Sequence, residues 1–367
     1  MNPIILTDEK LLTEINDVGK EFRLPGTAVS YEIISNGIIN STYKVNYIYD
    51  KIKKSYIFQK INIFVFKNPD KIMHNIDLVT SHIRAKKSDK VTLHFHHTND
   101  GKNYVVDNGN FWRVMNYVDS ITYNICEDFE IIRKAGEAFG EFQMQLSDFD
   151  GSVLYETIPD FHNTVKRLDT LFLHIQSDEY SRIASAFEEI EYIKSIREKA
   201  SELSDKYNNG FFPVRVTHND TKLNNVLFNK DTKEPMLVID LDTVMPGMAM
   251  YDFADAVRFI CNTSEEDEKD LNKVRFDKDK FKAFSEGFLS KVKKHWSKEE
   301  IDSLVLAAFS ITIELASRFL DDYLTGDKYF KTSYEGHNLV RARCQLKLAQ
   351  SIMEQYEELN ETILNIL

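Results

Sequence analysis

The side chains in this chain that are best suited to chemistry flank a predicted β-hairpin. Two short apolar runs, at 226–228 and 236–239, are joined by a polar segment of the kind that closes a hairpin. Asp220 and Asn225 precede the first run, and Asp240 follows the second. A hairpin brings its two ends together, and carboxylate and amide oxygens are the ligands that Mg²⁺ prefers. The stretch therefore predicts a site for Mg²⁺ and phosphate groups.

The spacing of these residues is typical of phosphoryl transfer. The pattern H-x-D-x-K-x-x-N forms the catalytic loop of protein-kinase-like folds and is followed by a second Asp. The chain matches it, in order, at His218, Asp220, Lys222, Asn225 and Asp240. We expect Asp220 to orient an acceptor hydroxyl or take its proton, and Lys222 to reach the γ-phosphate of ATP. Asn225 and Asp240 would hold Mg²⁺, and His218 would brace the loop. Alternatively, Asn219, Asp220 and Asn225 are ordinary turn and cap residues, an interpretation that leaves Asp240 unexplained.

Acidic residues just after the hairpin have further interpretations. Asp242 would either add a water-mediated metal contact or cap the following turn. Asp252, Asp255 and Arg258 are one turn apart on a predicted helix. For these three the favoured interpretation is an i,i+3 ion pair that braces the catalytic loop.

Composition and charge restrict the class of protein. At 367 residues the chain is long enough for two domains, and its 43% hydrophobic and 28% charged content is ordinary for a globular protein. A formal net charge of −12 argues against nucleic acid or an anionic membrane as a partner. Cys126, Cys261 and Cys344 have neither disulfide nor zinc spacing. With no membrane span and no signal peptide expected, we predict a cytoplasmic protein.

The N-terminal third predicts a small antiparallel α+β lobe. Leu11, Ile15, Val18 and Phe22 recur at helical spacing, which predicts an amphipathic helix near the start of the chain. A second helix is expected from Pro69, because proline suits the first turn of a helix. The predicted strands are rich in Tyr, Ile, Val and Thr and cover 29–34, 42–49, 55–61, 91–95, 103–106 and 111–118.

The remainder of the chain is mainly helical by pattern. The expected strands there are those of the hairpin, and helical spacing recurs at 129–142, 160–175, 178–206, 265–290, 299–324 and 337–363. We therefore predict an α+β, two-lobed protein-kinase-like fold. A β-rich nucleotide-binding lobe would cover 1–117, and a helical lobe with the catalytic and metal loops would cover 118–367.

Candidate phosphate contacts lie in the β-rich lobe. The turn from Gly37 to Asn40 is the candidate for covering the phosphates, although a single glycine does not make a G-x-G-x-x-G loop. Gln59 and Lys60 occupy the strand position where kinases carry their phosphate-pairing Lys. Neighbouring strand residues face opposite sides, so only one of the two can point to the nucleotide.

Two features accompany the last predicted strand. Met115 and Tyr117, in the segment that joins the lobes, would offer backbone groups and apolar surface to adenine, or would belong to a buried edge strand. His94, His96 and His97 invite a metal-site interpretation. Alternation puts only the first two on one face, and no third ligand is in view, so we do not favour it.

With these residues assembled, the chain resembles the aminoglycoside phosphotransferase/choline kinase superfamily, and most of all the bacterial N-acetylhexosamine 1-kinases. The strings that carry the resemblance include GIINSTYKV at 37–45, HNDTKLNNVLFN at 218–229, VIDLDTVMPG at 238–247 and ELASRFLDDYLTGDKYF at 314–330. The resemblance implies ATP- and Mg²⁺-dependent phosphorylation of the anomeric hydroxyl of N-acetylglucosamine or N-acetylgalactosamine.

The resemblance also implies residue roles. Asp220 matches the catalytic Asp, Asn225 and Asp240 match the metal ligands, and Asn40 matches an amide in the N-lobe turn. Ser41 and His74 depart from the pattern of the subgroup, where an Asp and an acidic residue are usual.

Arg318 and Tyr329 match residues that line the sugar site. From the residues alone, Arg318 would equally form an i,i+4 pair with Glu314, and Tyr329 would equally fill core. The alternative functions are a kinase of the same fold acting on choline, homoserine, methylthioribose or an aminoglycoside, and a nucleotide-binding pseudokinase without turnover.

Overall fold

The computed structural model of the chain describes residues 5–6, 8–34, 40–63, 66–86 and 92–367. The chain divides into two compact units. The sheet unit comprises Met1–Ile121 and Val153–Ile158, and the helical unit comprises Thr122–Ser152 and Pro159–Leu367. Among the described residues, no helix combines the length and the apolar content that crossing a membrane requires.

The sheet unit is built on one antiparallel sheet with the strand order β1-β2-β3-β4-β6-β5. Helix α1 (Glu9–Glu21) buries Ile15 and Val18 in a core that also contains Phe58 and Trp112. Helix α2 (Pro69–Lys86) begins at the proline, as predicted. The strands are β1 (Ile5–Leu6), β2 (Thr27–Ile34), β3 (Ser41–Tyr49), β4 (Ile52–Ile61), β5 (Val105–Asp107) and β6 (Asn110–Asn116).

The predicted strand at 91–95 is wrong within its described part. Residues 92–95 form no regular strand, and Phe95 makes an isolated bridge with Met115. The neighbouring backbone groups still pair, because the His96 N–H donates to Val114 O over 2.9 Å and the Asn116 N–H donates to His94 O over 3.3 Å. This short contact covers one edge of β6.

The helical unit confirms the prediction of a mainly helical second part, and with the sheet unit it makes the predicted α+β fold. Its helices are α3 (Phe129–Gln145), α4 (Thr164–Ser177), α5 (Phe187–Asn208), α6 (Met250–Ile260), α7 (Lys278–Val292), α8 (Lys298–Asp302), α9 (Leu304–Leu324), α10 (His337–Glu354) and α11 (Tyr356–Ile366). Most of α9 is buried, so this helix forms the centre of the unit.

The predicted hairpin is present, with β8 (Val226–Phe228) antiparallel to β9 (Pro235–Val238). Sequence reasoning missed a second antiparallel pair, β7 (Arg215–Thr217) with β10 (Met245–Gly247). β7 and β10 lie on either side of the whole hairpin in the chain, so no closing turn between them indicates that they pair, which explains the omission. In the chain, β7 precedes the catalytic-loop residues 218–225, and β8, β9 and β10 follow them.

The predicted helix at 265–290 is wrong in its first half. The segment before α7 closes on itself, with the Thr263 N–H donating to Arg275 O over 3.1 Å. Helix α7 begins only after Asp277, whose side chain caps the N–H groups of Asp279 and Lys280.

Candidate active site

The structure brings three of the predicted site residues into direct contact in the loop after β7. Lys222 Nζ lies 2.8 Å from Asp220 Oδ1. Asn225 Nδ2 donates to the Asp220 main-chain O over 2.8 Å and to Oδ2 over 3.3 Å. The Asp220 side chain remains 28% exposed, so a small molecule can reach it. A carboxylate with a cation on one side and an amide on the other can orient a hydroxyl group for attack on phosphorus.

The backbone of this loop is fixed by a buried carboxylate of α6. Asp252 accepts from the His218 N–H through Oδ2 and from the Asn219 N–H through Oδ1, both over 2.8 Å. Gln143 Nε2 adds a third bond over 2.6 Å. Asn219 has a φ of 65°, so its backbone is in the left-handed conformation and the chain turns directly before Asp220. Asp252 therefore shapes the loop directly, which its position in the sequence did not reveal.

The predicted ion pair on α6 is confirmed. Arg258 Nη2 lies 2.8 Å from Asp255 Oδ1, and both side chains are buried. Asp255 Oδ2 also accepts from the Thr221 N–H over 3.0 Å. Burial alone would raise the pKa of Asp255, but Arg258 and Lys222 outweigh it and hold that pKa below its ordinary value. The carboxylate therefore stays ionised and ties the loop to α6.

His218 braces the loop, as predicted. Its Nε2 donates to Ile239 O over 2.9 Å, and its Nδ1 accepts from the Asp220 N–H over 3.3 Å. These bonds require the neutral tautomer with the proton on Nε2. The imidazole therefore joins the catalytic loop to the end of the hairpin.

The two predicted metal ligands lie at the open end of the hairpin. The Ile239 N–H donates to Asn225 O over 2.9 Å, which sets Asp240 beside Asn225. The exposed Asp240 has a φ of 62°, a left-handed conformation that ends β9.

The donor set suits Mg²⁺. Asn225 uses Nδ2 toward Asp220, and none of the described residues donates a hydrogen bond to its Oδ1. No group of three His, Cys, Asp or Glu side chains within the described ranges could hold a metal by itself. Because Mg²⁺ is commonly held by one or two protein oxygens plus substrate phosphates, one carboxylate and one amide oxygen fit it.

The basic partner of Asp220 stays charged. The Asp220 carboxylate raises the pKa of Lys222, and Asp255 adds to that effect against the opposing influence of burial. The Lys222 ammonium is therefore available to stabilise negative charge near Asp220 throughout the neutral range.

Arg318 lies on α9, and its guanidinium is surrounded by aromatic rings from other segments. Its guanidinium carbon is 5.5 Å from the ring centre of Phe161, 6.0 Å from Tyr329 and 5.6 Å from Phe330. Tyr329 is 69% exposed, so the core-filling alternative is wrong. The alternative pair with Glu314 is also wrong, because Glu314 binds residues of another segment.

Glu314 belongs to a network that reaches the catalytic loop. Its Oε1 lies 2.9 Å from His162 Nδ1, and its Oε2 accepts from Thr164 Oγ1 over 3.1 Å. On the other side of the ring, His162 Nε2 lies 3.2 Å from Asn219 O. Burial lowers the pKa of His162, but Glu314 and Asp255 outweigh it, so the net pKa is raised. His162 was missed because nothing local in its sequence surroundings indicates a partner 57 residues away.

The candidate phosphate contacts of the sheet unit point to opposite faces of β4. Lys60 Nζ lies 3.0 Å from Glu14 of α1 and 4.6 Å from the ring centre of Trp112. Gln59 Oε1 accepts from Arg113 Nε over 2.9 Å, and Gln59 Nε2 donates to Thr42 Oγ1 over 3.0 Å. Lys60 therefore faces α1, and Gln59 shares the other face with the buried Arg113, which sequence reasoning had not identified.

The remaining nucleotide-side candidates are spread over the sheet unit. Of the turn at 37–40, residues 37–39 lie outside the described residues, and Asn40 Oδ1 accepts from the Asn62 N–H over 3.0 Å. Met115 is buried and pairs with Ile57 in the sheet. Tyr117 lies under Lys44, whose Nζ is 4.7 Å from the ring centre.

The three histidines have separate partners. His94 Nδ1 lies 2.6 Å from Arg84 Nη1, His96 bonds Asn116, and His97 bonds Asp77. Burial, His96 and Arg84 lower the pKa of His94 to about 4. This arrangement gives no support to a shared metal.

Comparison with known folds agrees with this geometry. The chain is similar to a microcompartment-associated aminopropanol kinase (TM-score 0.60, 14% identity, 95% of this chain and 98% of that one). It is also similar to APH(2″)-IIa in a complex with streptomycin and ATP (TM-score 0.56, 15% identity, 95% and 99%) and to a choline kinase from Cryptosporidium parvum Iowa II (TM-score 0.54, 14% identity, 89% and 90%). At these identities the likeness shows the fold.

A family model described as a phosphotransferase enzyme family matches residues 30–284. The match covers more than half of the chain and contains the catalytic loop, the hairpin and the bracing helix α6. The chain therefore belongs to this phosphotransferase enzyme family.

Proposed function

We propose that this chain is an ATP- and Mg²⁺-dependent kinase that phosphorylates the anomeric 1-hydroxyl of an N-acetylhexosamine. The observation that carries the proposal is the contact of Asp220 with Lys222 and Asn225 beside Asp240, in a member of a phosphotransferase family. The resemblance of residues 218–247 and 314–330 to N-acetylhexosamine 1-kinases supports the sugar as the acceptor.

The reaction needs positioning and charge more than covalent help. The acceptor oxygen forms the new bond to the γ-phosphorus while the bond from that phosphorus to the β,γ-bridging oxygen breaks, and ADP leaves. Asp220 would orient the hydroxyl and take its proton. Lys222, which remains charged beside Asp220, would stabilise the negative oxygens of the transferred group. Asn225 and Asp240 would hold Mg²⁺, which when bound neutralises phosphate charge.

The nucleotide contacts of the proposal belong to the sheet unit. Asn40, Gln59 and Lys60 are the candidates for the phosphates, and Met115 and Tyr117 are the candidates for adenine. Gln59 is the better candidate of its pair, because Lys60 faces α1 and pairs with Glu14, whereas Gln59 lies on the opposite face of β4 beside the Arg113 guanidinium.

The charge around Arg318 supports a neutral sugar over a cationic acceptor. Arg318 shares its surroundings with Arg167 of α4. Burial lowers the pKa of Arg167, and Arg318 lowers it further because two nearby guanidinium groups repel each other, while Glu314, Tyr329 and Asp160 act in the opposite direction without reversing the net shift. Choline, ethanolamine and aminoglycosides carry positive charge and would meet the same repulsion. A sugar instead offers hydroxyl and acetamido oxygens to the guanidinium and a C–H face to the exposed ring of Tyr329.

An acceptor screen tests the proposal. The chain would be assayed by ADP release with Mg·ATP and equal concentrations of N-acetylglucosamine, N-acetylgalactosamine, glucose, choline, homoserine, methylthioribose and an aminoglycoside. We expect turnover with the N-acetylhexosamines and a product whose phosphorus couples to the anomeric proton in a ³¹P–¹H spectrum. Turnover confined to choline or an aminoglycoside would refute the sugar assignment, and nucleotide binding without turnover of any alcohol would indicate a pseudokinase.

A further inference from the structure

A buried carboxylate of α9 accepts hydrogen bonds from the turn that follows the helix. Asp322 is 5% exposed, and its Oδ1 accepts from the N–H groups of Lys328 and Tyr329 over 2.9 and 2.7 Å. Its Oδ2 accepts from the Phe330 N–H over 2.8 Å and from Asn338 Nδ2 over 2.8 Å. Three successive backbone donors on one carboxylate form a charge-assisted nest.

The main chain reinforces this arrangement. The Asp327 N–H donates to the Asp322 main-chain O over 2.7 Å. Gly326 and Asp327 have φ values of 93° and 56°, so two successive left-handed residues reverse the chain directly after the helix. Asn338 Nδ2 also donates to Asp327 Oδ1 over 2.8 Å. Arg182 Nη1 also donates to Asp327 Oδ2 over 2.6 Å. The turn at 326–330 therefore has a defined conformation, in which Asp322 accepts from the N–H groups of its last three residues.

The residues that this turn presents are the aromatic neighbours of Arg318. The Tyr329 and Phe330 rings lie 4.8 Å apart in an edge-to-face arrangement, and both lie within 6.0 Å of the Arg318 guanidinium. Phe330 also packs on Phe319 of α9, with ring centres 4.6 Å apart. Loss of the nest would release the two rings from Arg318, although no atom of Asp322 belongs to that aromatic group.

We propose that Asp322 is a positioning residue of the acceptor site, which holds the 326–330 turn so that Tyr329 and Phe330 form a wall of that site next to Arg318. The proposal rests on the proposed function, because it assumes that Arg318 and Tyr329 contact the acceptor. It adds a residue that would not contact the acceptor itself and would act only by holding the backbone at 328–330. A shift of about 1 Å in a substrate-positioning group can cost on the order of a hundredfold in rate.

The test is the Asp322→Asn variant with Asp321→Asn as the matched control. Asparagine keeps the shape but replaces one acceptor oxygen with an NH₂ donor. In either orientation of the amide, this NH₂ group would face two donors from which it cannot accept: the N–H groups of Lys328 and Tyr329, or the Phe330 N–H and Asn338. Asp321 is the preceding residue of the same helix, and its carboxylate contacts His174 of α4 over 2.6 Å instead of the turn. Both variants remove one negative charge from the end of α9.

We expect Asp322→Asn to raise the acceptor KM between about tenfold and a hundredfold, with the ATP KM unchanged and kcat changed less. In hydrogen exchange followed by mass spectrometry, a peptide that spans 327–331 should exchange faster than in the parent chain. Asp321→Asn should leave both measurements near the parent values. If Asp322→Asn folds poorly, Asn338→Ala, which removes one donor to the same carboxylate, should give a smaller change in the same two measurements.

Unchanged hydrogen exchange at 327–331 would overturn the proposal, and so would faster exchange with an unchanged acceptor KM. Equal increases in the KM for acceptor and for ATP would also overturn it, because they would indicate general destabilisation. If the parent chain phosphorylates no alcohol, the proposed function is wrong, and so is the role of Asp322 in acceptor binding. The hydrogen-exchange measurement would still decide whether Asp322 holds the turn.

Discussion

At the scale of single residues, Asp220 is held in place without being removed from solvent. The Asp220 N–H donates to His218, and the carboxylate contacts the Lys222 ammonium and the Asn225 amide. The restraints come from side chains that are themselves fixed by α6 and by the hairpin. A group positioned in this way can act at the moment of phosphoryl transfer with little reorganisation.

Replacement of Asp220 by Asn should lower kcat by at least about a hundredfold, the scale of a positioned acid–base group. The amide cannot take the hydroxyl proton, while ATP binding should remain largely intact. Steady-state kinetics and nucleotide titration measure the two effects separately. Asp231→Asn, an equal change of charge on the exposed turn of the hairpin, is the control. Near-normal turnover in Asp220→Asn would exclude the assigned role.

Replacement of Arg318 by Ala should raise the acceptor KM much more than the ATP KM, because the guanidinium would no longer meet the acceptor oxygens. Arg318→Lys keeps the charge but loses the planar donor fork, so it should recover only part of the affinity. Equal increases in the two KM values would remove Arg318 from the acceptor site.

At the scale of elements, α9 combines an anchor of the catalytic loop with residues of the proposed acceptor site. Glu314, Arg318 and Asp322 are four residues apart, so they lie along one face of the helix. Glu314 reaches the catalytic loop through His162, Arg318 lies among the aromatic rings, and Asp322 holds the following turn. One rigid helix thereby fixes the distance between the catalytic loop and the proposed acceptor site.

The His162–Glu314 pair should make stability depend on pH. The net pKa of His162 is raised in the folded chain, so the contribution of the charged ring is complete below its unfolded pKa of about 6.5 and is lost as the pH rises through the higher folded pKa. Asp255 also favours the charged ring, and Arg318 opposes it. His162→Gln should therefore show a flatter decline in unfolding free energy above pH 6.5 than the parent chain in denaturant titrations. Parallel pH profiles for the two chains would contradict this assignment.

Helices α3 and α7 pack with their backbones in close contact. A Cβ on Gly287 would lie 1.9 Å from Arg133 O, and a Cβ on Gly136 would lie 2.2 Å from Phe284 O. Gly287→Ala should therefore destabilise the chain by about 1–3 kcal/mol or more, the scale of overpacking in a core. Gly151→Ala, where the nearest atom is 3.7 Å away, is the control for thermal and denaturant unfolding. A Gly287→Ala chain as stable as the control would show that the two helices can separate without cost.

At the scale of the whole molecule, binding of Mg·nucleotide should stabilise the folded chain. A ligand at a hundred times its dissociation constant contributes about 2.7 kcal/mol if it binds only the folded state. The Tm in thermal unfolding should rise with ADP and rise further with added Mg²⁺. Asp240→Asn should lose most of the additional Mg²⁺-dependent rise and keep the rise with ADP alone. A Mg²⁺-dependent rise of parent size in this variant would exclude Asp240 as a metal ligand.

The sequence by itself determined the contacts between residues that are close together along the chain. The hairpin, the grouping of Asp220 with Asn225, and the Asp255–Arg258 pair all join residues that are close in sequence. Local spacing and periodicity carry such contacts, so they could be predicted. The amphipathic helix α1 and the start of α2 at Pro69 were predictable for the same reason.

Only the tertiary structure decided how distant segments meet. The bonds from Asp252 to the catalytic loop span 33 and 34 residues, and the His162–Glu314 contact spans 152. The sequence also left open which of Gln59 and Lys60 points toward α1. Alternation along a strand shows that neighbouring side chains lie on opposite faces, but it does not show which face packs against the helix. Such contacts depend on how helices and sheet pack, and packing is a property of the whole chain that no local pattern of residues records.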